Sequence, residues 1–244
     1  MAIKVTPIHL EKVSSTNTYA KENFSQFHPQ EITRVTADEQ TAGRGRFNRS
    51  WVSPSKENLY LTYCFTTKKD GMEVNNLSQI LALSIAKLLD QEGLKPQIKW
   101  PNDVLINGKK IAGILCETID LNDHFGVILG TGINVNMGDE ALAGIDQPAT
   151  SFLAETGKTH KLSSLLTSLE TFFLRDYEIF KTDGFKPFFP AYNGLLVQKG
   201  KTVTLKQGKE MITGTVHSLN PDGRLNLELP DGSVQTLSSG EIKK

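Results

Sequence analysis

Asn107-Gly108 stands between two apolar runs, VLI at 104–106 and IAGIL at 111–115, and constrains the path of this chain more than any other dipeptide in it. A two-residue hairpin loop of type I′ needs positive φ at both central positions, which Asn and Gly accept and most residues resist. The flanking runs must therefore pair antiparallel, with Lys109 and Lys110 just beyond the turn. A further apolar run, FGVILGTGINVN at 125–136, pairs readily with 111–118. Gly130 and Gly132 interrupt it where a backbone or ligand can approach closely. On the other side of the hairpin, Pro101 fixes φ and holds Trp100 extended, so Asn102 and Asp103 are predicted in a tight bend at a strand end.

The remaining periodicities fill out a mixed fold. Residues 5–13 alternate weakly and end at the capping cluster Ser14-Ser15-Thr16-Asn17, which predicts a short helix over 17–27. Residues 32–38 and 59–65 alternate with β-branched and aromatic side chains and read as strands. Apolar residues at 77, 80, 81, 85, 88 and 89 have helical spacing, with Asn75 or Asn76 available to cap the helix and Gly93 to end it. A second amphipathic helix is predicted over 162–180, after which Pro187 and Pro190 break the pattern. Beyond Gly194 come short alternating strands separated by Asn220-Pro221-Asp222-Gly223 and Pro230-Asp231-Gly232, the texture of a small SH3-like β-barrel. The chain is thus expected to be α+β, with a larger domain over 1–190 and a barrel over 191–244.

What such a chain does is first suggested by GRGRFNRSW at 43–51, with three arginines, two glycines and few apolar anchors. Clustered guanidinium groups repel one another unless an anion lies among them. The whole chain of 244 residues has zero formal net charge. A general nucleic-acid binder draws its affinity from excess Lys and Arg, so the concentration at Arg44, Arg46 and Arg49 suits a small anion better than a polymer. Cys64 and Cys116 each lie in an apolar run and read as buried thiols of a reducing cytosol. No apolar stretch near the chain start resembles a signal sequence, and none approaches the ~20 apolar residues of a membrane span. A cytoplasmic location and no membrane partner are the corresponding expectations.

Three stretches in fixed order, Gln40 with GRGRFNRSW, KWPNDV with GKKIAGIL, and GTGINVN, together with STN at 15–17 and SGEI at 239–242, resemble the biotin protein ligases. The resemblance covers nearly the whole chain. It implies a mixed, largely antiparallel sheet with helices on one side, related to class II aminoacyl-tRNA synthetases, and an SH3-like C-terminal domain. It also implies activation of biotin by ATP and Mg²⁺ to biotinyl-5′-AMP, followed by transfer to a lysine of a biotin carboxyl carrier protein. Because the chain begins directly with the catalytic domain, no DNA-binding role is expected; a monomer and a homodimer are both open.

The resemblance carries roles onto particular residues. Arg46 is expected at the carboxylate and α-phosphate, and Arg44 with the Gly43 to Gly45 backbone along biotin. Lys110 is expected to hold the carboxylate and then the bridging oxygen of the adenylate. Asp103 orients Lys110, assists the incoming amine or helps hold Mg²⁺, which otherwise rides on the ATP phosphates. Ser15, Thr16 and Gln40 suit the polar ureido ring, although the first two can also cap a helix. Trp51 is suited to stack on adenine or to serve as a core tryptophan, and Asn134 to bond the base edge. Lys99 reaches a phosphate or lies on the surface, and Asn17, Arg49, Asn102 and Gly113 complete the ligand-binding set. The family usually has glycine where this chain has Asn48, and asparagine is the best substitute in left-handed geometry. Two rival readings are a lipoate ligase or octanoyltransferase, and a nucleic-acid binding module.

Overall fold

The computed structural model describes residues 3–69, 74–208 and 210–243. A seven-stranded sheet forms the larger part. Strand β1 (Val5–Val13) leads into helix α1 (Thr16–Glu22), and a short 3₁₀ turn, Phe24–Gln26, precedes β2 (Ile32–Gln40). Strand β3 (Leu59–Lys68) is followed by helix α2 (Val74–Gln91) and strands β4 (Pro96–Lys99), β5 (Asp103–Ile106), β6 (Lys109–Leu121) and β7 (His124–Ile133). The order across the sheet is β1-β2-β3-β7-β6-β5-β4. Only β1 and β2 run parallel; every other neighbouring pair is antiparallel.

The expected hairpin is present, with Asn107 and Gly108 at φ 51° and 76°. A register shift between Val104 and Leu105 bulges β6 just after the turn and sets Asp103 opposite Gly113. Asp103 is thus the first residue of β5 rather than part of a bend, because this ladder extends to meet it. The predicted helix over 17–27 is shorter: the Asn23 side-chain amide and backbone N–H both bond the Tyr19 carbonyl, closing α1 as an asparagine readily does. Asn75 and Asn76 lie inside α2, not at its cap. Gly93 does terminate α2: its N–H bonds to Asp90, and that of Leu94 to Leu89, with Gly93 at φ +79°, the αL ending that glycine favours.

The helices divide between the two faces of the sheet, which corrects the expectation of one side. Leu61, Tyr63 and Phe65 of β3 face α2 and the long helix α5 (Leu162–Asp183), reached through α3 (Asp139–Ala143) and α4 (Phe152–Thr156). The alternate residues Cys64 of β3 and Ile128 of β7 pack with Ala20 of α1 and Val35 on the opposite face, as the period of two demands. Helix α1 covers only part of that face and leaves room beside it.

Helix α5 ends at Asp183, ahead of the prolines as expected, and these then start new helical turns: Lys186–Phe188 is 3₁₀ and Pro190 stands in the first turn of α6 (Phe189–Leu195), where a missing N–H costs nothing. The expected division at 190/191 falls within this helix. Strands β8 (Thr202–Gln207), β9 (Glu210–Leu219), β10 (Leu225–Glu228), β11 (Val234–Leu237) and β12 (Glu241–Lys243) follow. They form one antiparallel sheet of order β11-β10-β9-β8-β12. Its inward residues Leu205, Val216, Leu219, Leu225 and Leu227 join the same buried cluster as Trp100 and α2, so the barrel and the large sheet share a continuous apolar core.

Candidate active site

The uncovered part of the sheet face has glycine where other faces have bulk. Thr62, Gly130 and Leu115 lie side by side in one row across β3, β7 and β6, and Tyr60, Gly132 and Gly113 in the next. A Cβ on Gly130 would fall 1.9 Å from Asn17 Oδ1, and one on Gly132 only 2.3 Å from Trp51 Nε1. The groups that approach these glycines are therefore two side chains of the chain itself. Trp51 also covers Gly113, where a Cβ would meet both the indole and Lys110 at about 3.0 Å.

Around Asn17 the site is polar, and its one carboxylate, Glu117, is balanced by Arg44. The Thr62 hydroxyl donates to Asn17 Oδ1 at 2.7 Å and meets Thr16 Oγ1 at 2.8 Å. Gln40, ending β2, accepts from the Thr16 N–H at 2.9 Å and donates to Ser53. Ser15 occupies the N-cap of α1, yet its side chain makes no capping bond. Asn17 donates to Glu117 at 3.0 Å, a residue missing from the sequence reading. Gly113, Leu115 and Glu117 share one face of β6 by the period of two, a signal that was available.

Toward Trp51 the site becomes cationic. The 43–51 loop is a closed hairpin: the Gly45 N–H bonds to Arg49, and the Trp51 N–H to Gly43. Gly43 lies at the loop base, where a Cβ would be 2.5 Å from the Trp51 carbonyl oxygen, so its smallness serves loop closure rather than a ligand surface. Asn48 has φ 59°, the left-handed geometry expected of it, and its neighbour Phe47 has φ 56°. Each arginine is held by a different element. Arg44 forks onto Glu117 of β6 at 3.1 and 3.3 Å, Arg46 donates to Asn102 at 2.9 Å, and Arg49 pairs with Glu241 of β12. The repulsion expected among the guanidinium groups is thus offset by protein carboxylates. Burial lowers the Arg46 pKa, while Asp103 and then Glu241 oppose that shift.

Lys110 completes this end. Its ammonium pairs with Asp103 at 2.7 Å and lies 5.4 Å from the centre of the Trp51 ring. Asn102 also donates to the Ile114 carbonyl at 2.8 Å, which fixes the amide that holds Arg46. Two clefts meet at Trp51 and Lys110. The first runs from Ser15 and Gln40 past Arg44, Arg46 and Asn102 to Gly113. A recess beyond Trp51 is lined by Asn134, Asp146 and Gln147; the last two were not anticipated. Asn134 is buried and donates its amide to the Thr150 carbonyl. Lys99 lines a third opening with Asp103, Arg49 and Glu241. The Trp51 indole N–H is buried against Gly132 without a partner. Among the described residues no group of His, Cys, Asp or Glu is assembled to hold a metal ion; Asp103, Glu117 and Glu241 are each engaged by a cation of the protein.

A cleft that is neutral and polar at one end and cationic at the other is suited to bringing a carboxylate up to a phosphate, the task of acid-activating ligases. Comparison agrees: the chain belongs to the biotin/lipoate A/B protein ligase family, whose model matches residues 10–134. A second match, of residues 200–244 to the biotin protein ligase C-terminal domain, narrows this to the biotin protein ligases. A biotin–acetyl-CoA-carboxylase ligase of Paracoccus denitrificans is 32% identical over 85% of this chain and 88% of its own. The bifunctional ligase/repressor BirA of Bacillus subtilis is 29% identical over 97% of this chain and 73% of its own. Among solved structures, a biotin protein ligase of Aquifex aeolicus in complex with biotin and ATP superposes with a TM-score of 0.81. It is 30% identical, covering 98% of this chain and 97% of that one.

Proposed function

We propose that this protein activates biotin with Mg·ATP as biotinyl-5′-AMP and passes the biotinyl group to a lysine of a biotin carboxyl carrier protein. The observation that carries this reading is the polarity of the first cleft, amides and hydroxyls at Ser15, Thr16, Asn17 and Gln40 and cations at Arg46 and Lys110. A bicyclic urea needs buried hydrogen-bond partners at one end, and its carboxylate needs positive charge at the other.

In the first half-reaction a biotin carboxylate oxygen attacks the α-phosphorus of ATP and pyrophosphate leaves with the electrons of the broken P–O bond. Two anions must meet, and Lys110 and Arg46 stand on either side of that meeting point as fixed positive charge. Asp103 holds the Lys110 ammonium in place. Trp51 presents its outer surface to the base, beside Asn134. Mg²⁺ arrives on the ATP phosphates as part of the substrate and neutralises the pyrophosphate that departs. In the second half-reaction a deprotonated lysine amine attacks the acyl carbon, and AMP leaves as the C–O bond breaks. The adenylate is itself the activated acyl donor, so no covalent enzyme intermediate is required.

Pyrophosphate exchange into ATP tests the first step: it should require biotin and not respond to lipoate. Labelled biotin should then appear on one lysine of a carrier domain. Exchange driven by lipoate, or by neither acid, would refute the assignment. No described helix is long and apolar enough to cross a membrane.

A further inference from the structure

Trp100 and Pro101 lie between β4 and β5, immediately before Asn102 and Asp103, and the groups that satisfy their polar atoms all come from the last third of the chain. The Trp100 N–H donates to Gln198 Oε1 at 3.1 Å, and Gln198 Nε2 returns to the Trp100 carbonyl at 3.5 Å. The Tyr192 hydroxyl donates to the Pro101 carbonyl at 3.2 Å. The Trp100 indole N–H donates to the Gly223 carbonyl at 3.2 Å. Gly223 belongs to the Asn220–Gly223 turn of the barrel, between β9 and β10. That turn is itself seated on α2: Gln79 donates to the same Gly223 carbonyl at 2.9 Å, and Asn76 to Asp222 at 2.9 Å. With φ at +84°, Gly223 has no room for a side chain, since a Cβ would be 2.3 Å from Asn76 Nδ2 and Gln79 Oε1. Trp100, Tyr192, Gln198 and Gln79 are all buried, where hydrogen bonds hold geometry most firmly.

The two residues that follow serve the site directly, Asn102 gripping Arg46 and Asp103 gripping Lys110. We propose that Tyr192, Gln198 and the Gly223 turn act as a positioning clamp on Trp100-Pro101, so that the C-terminal region sets the cations around the acyl-phosphate centre without touching the ligand. The clamp acts on the cationic end of the cleft and not on the polar end, whose partners come from α1, β2, β3 and the middle of β6. Its loss should therefore slow the bond-forming step and leave biotin binding intact. A displacement of about an ångström at a reacting centre costs up to ~100-fold in rate.

This inference rests on the reading that the site makes biotinyl-5′-AMP. The test uses the full chain with Tyr192→Phe combined with Gln198→Met, which retains apolar bulk, and separately Tyr192→Phe alone, which removes only the hydroxyl on the Pro101 carbonyl, in case the double variant folds poorly. Biotin affinity and the number of binding sites are measured by calorimetry, and single-turnover adenylate formation is expressed per biotin-binding site. The expected result is an unchanged biotin Kd with a rate per site reduced by about tenfold or more. A wild-type rate per site in both folded variants overturns the clamp, as does a loss wholly accounted for by fewer binding sites. If the unaltered protein itself makes no adenylate, the proposed function fails instead.

Discussion

The ammonium of Lys110 and the carboxylate of Asp103 lie 2.7 Å apart across the β5–β6 hairpin, each side chain only 15% exposed. Lys109, one residue earlier, is exposed. The β-bulge after the turn decides which of the two neighbouring lysines enters the cleft.

Lys110→Ala removes a cation from between two reacting anions. Adenylate formation should fall by roughly two to four powers of ten, the range of charge stabilisation in a dry site. Lys109→Ala should leave the rate within a factor of about two, as expected for a solvated surface charge. Biotin-dependent pyrophosphate exchange on both variants measures this, and equal losses would show that the hairpin register has been misread.

Gly132→Ala should act through Trp51. With a Cβ 2.3 Å from the indole nitrogen, the ring must leave its seat on the sheet. The KM for ATP should rise by about tenfold or more, the effect of losing one stacked aromatic contact, while biotin Kd changes little. Steady-state kinetics beside calorimetry separates the two, and a larger effect on biotin than on ATP would contradict the placement of the base.

Cys64 is buried as expected, whereas Cys116 is only partly covered; the loss of solvent around them still raises both thiols to about 12, so neither is a nucleophile at neutral pH. Cys64→Ser with Cys116→Ser should keep full turnover per folded molecule, at a stability cost of ~1–3 kcal/mol for a hydroxyl left without a partner. The sign of the pH dependence follows. Each thiol ionises in the unfolded chain at its ordinary value of 9.0 but stays neutral in the fold. Stability is therefore complete below pH 9 and declines as pH rises from there toward 12. Buried Tyr60, Tyr63, Tyr177 and Tyr192, all raised by burial, steepen the decline above pH 10. Urea midpoints from pH 8 to 11 should trace this curve, and the serine variant should lose its earliest part; a flat profile would argue against buried neutral thiols.

Arg46→Gly should separate activation from retention. Without the Arg46–Asn102 contact the loop holds the acyl phosphate poorly, so adenylate should escape and acylate bystander lysines while transfer to the carrier falls. Trypsin should cut the ligand-free protein within 43–51, more readily once Glu117→Gln or Glu241→Gln removes an anchor, and biotin with ATP should protect these bonds. Cleavage indifferent to both ligands and anchors would mean that the loop does not close.

Much of this was legible locally. Asn107-Gly108 states its own turn, Asn48 its left-handed φ, Gly93 its helix ending, and the STN, GRGR and KWPND stretches a cleft they do line together. What escaped depends on distance in sequence. Glu117 and Glu241 lie 73 and 192 residues from the arginines they pair with, so counting charges within the loop overstated its repulsion. Phe47 in left-handed geometry costs of order 1 kcal/mol, and no local rule selects a phenylalanine there; loop closure at Gly45 and Arg49 imposes it. The parallel pairing of β1 with β2 and the placement of α1 on the opposite face from α2 are tertiary choices, because alternation in a strand says which residues share a face and not which element covers it.

The pairing of Arg49 with Glu241 has a temporal side. During synthesis the loop emerges well before its last counter-charge, and at ~5–20 residues per second the intervening 192 residues take about 10–40 s to make. Over that interval a nascent chain has a sheet and a polar binding face but no fully tethered loop. An enzyme whose product is a freely reactive acyl phosphate is exposed during that delay: the cover is fastened by the same late strand that completes the barrel, so retention of the reagent is among the last properties the growing chain acquires.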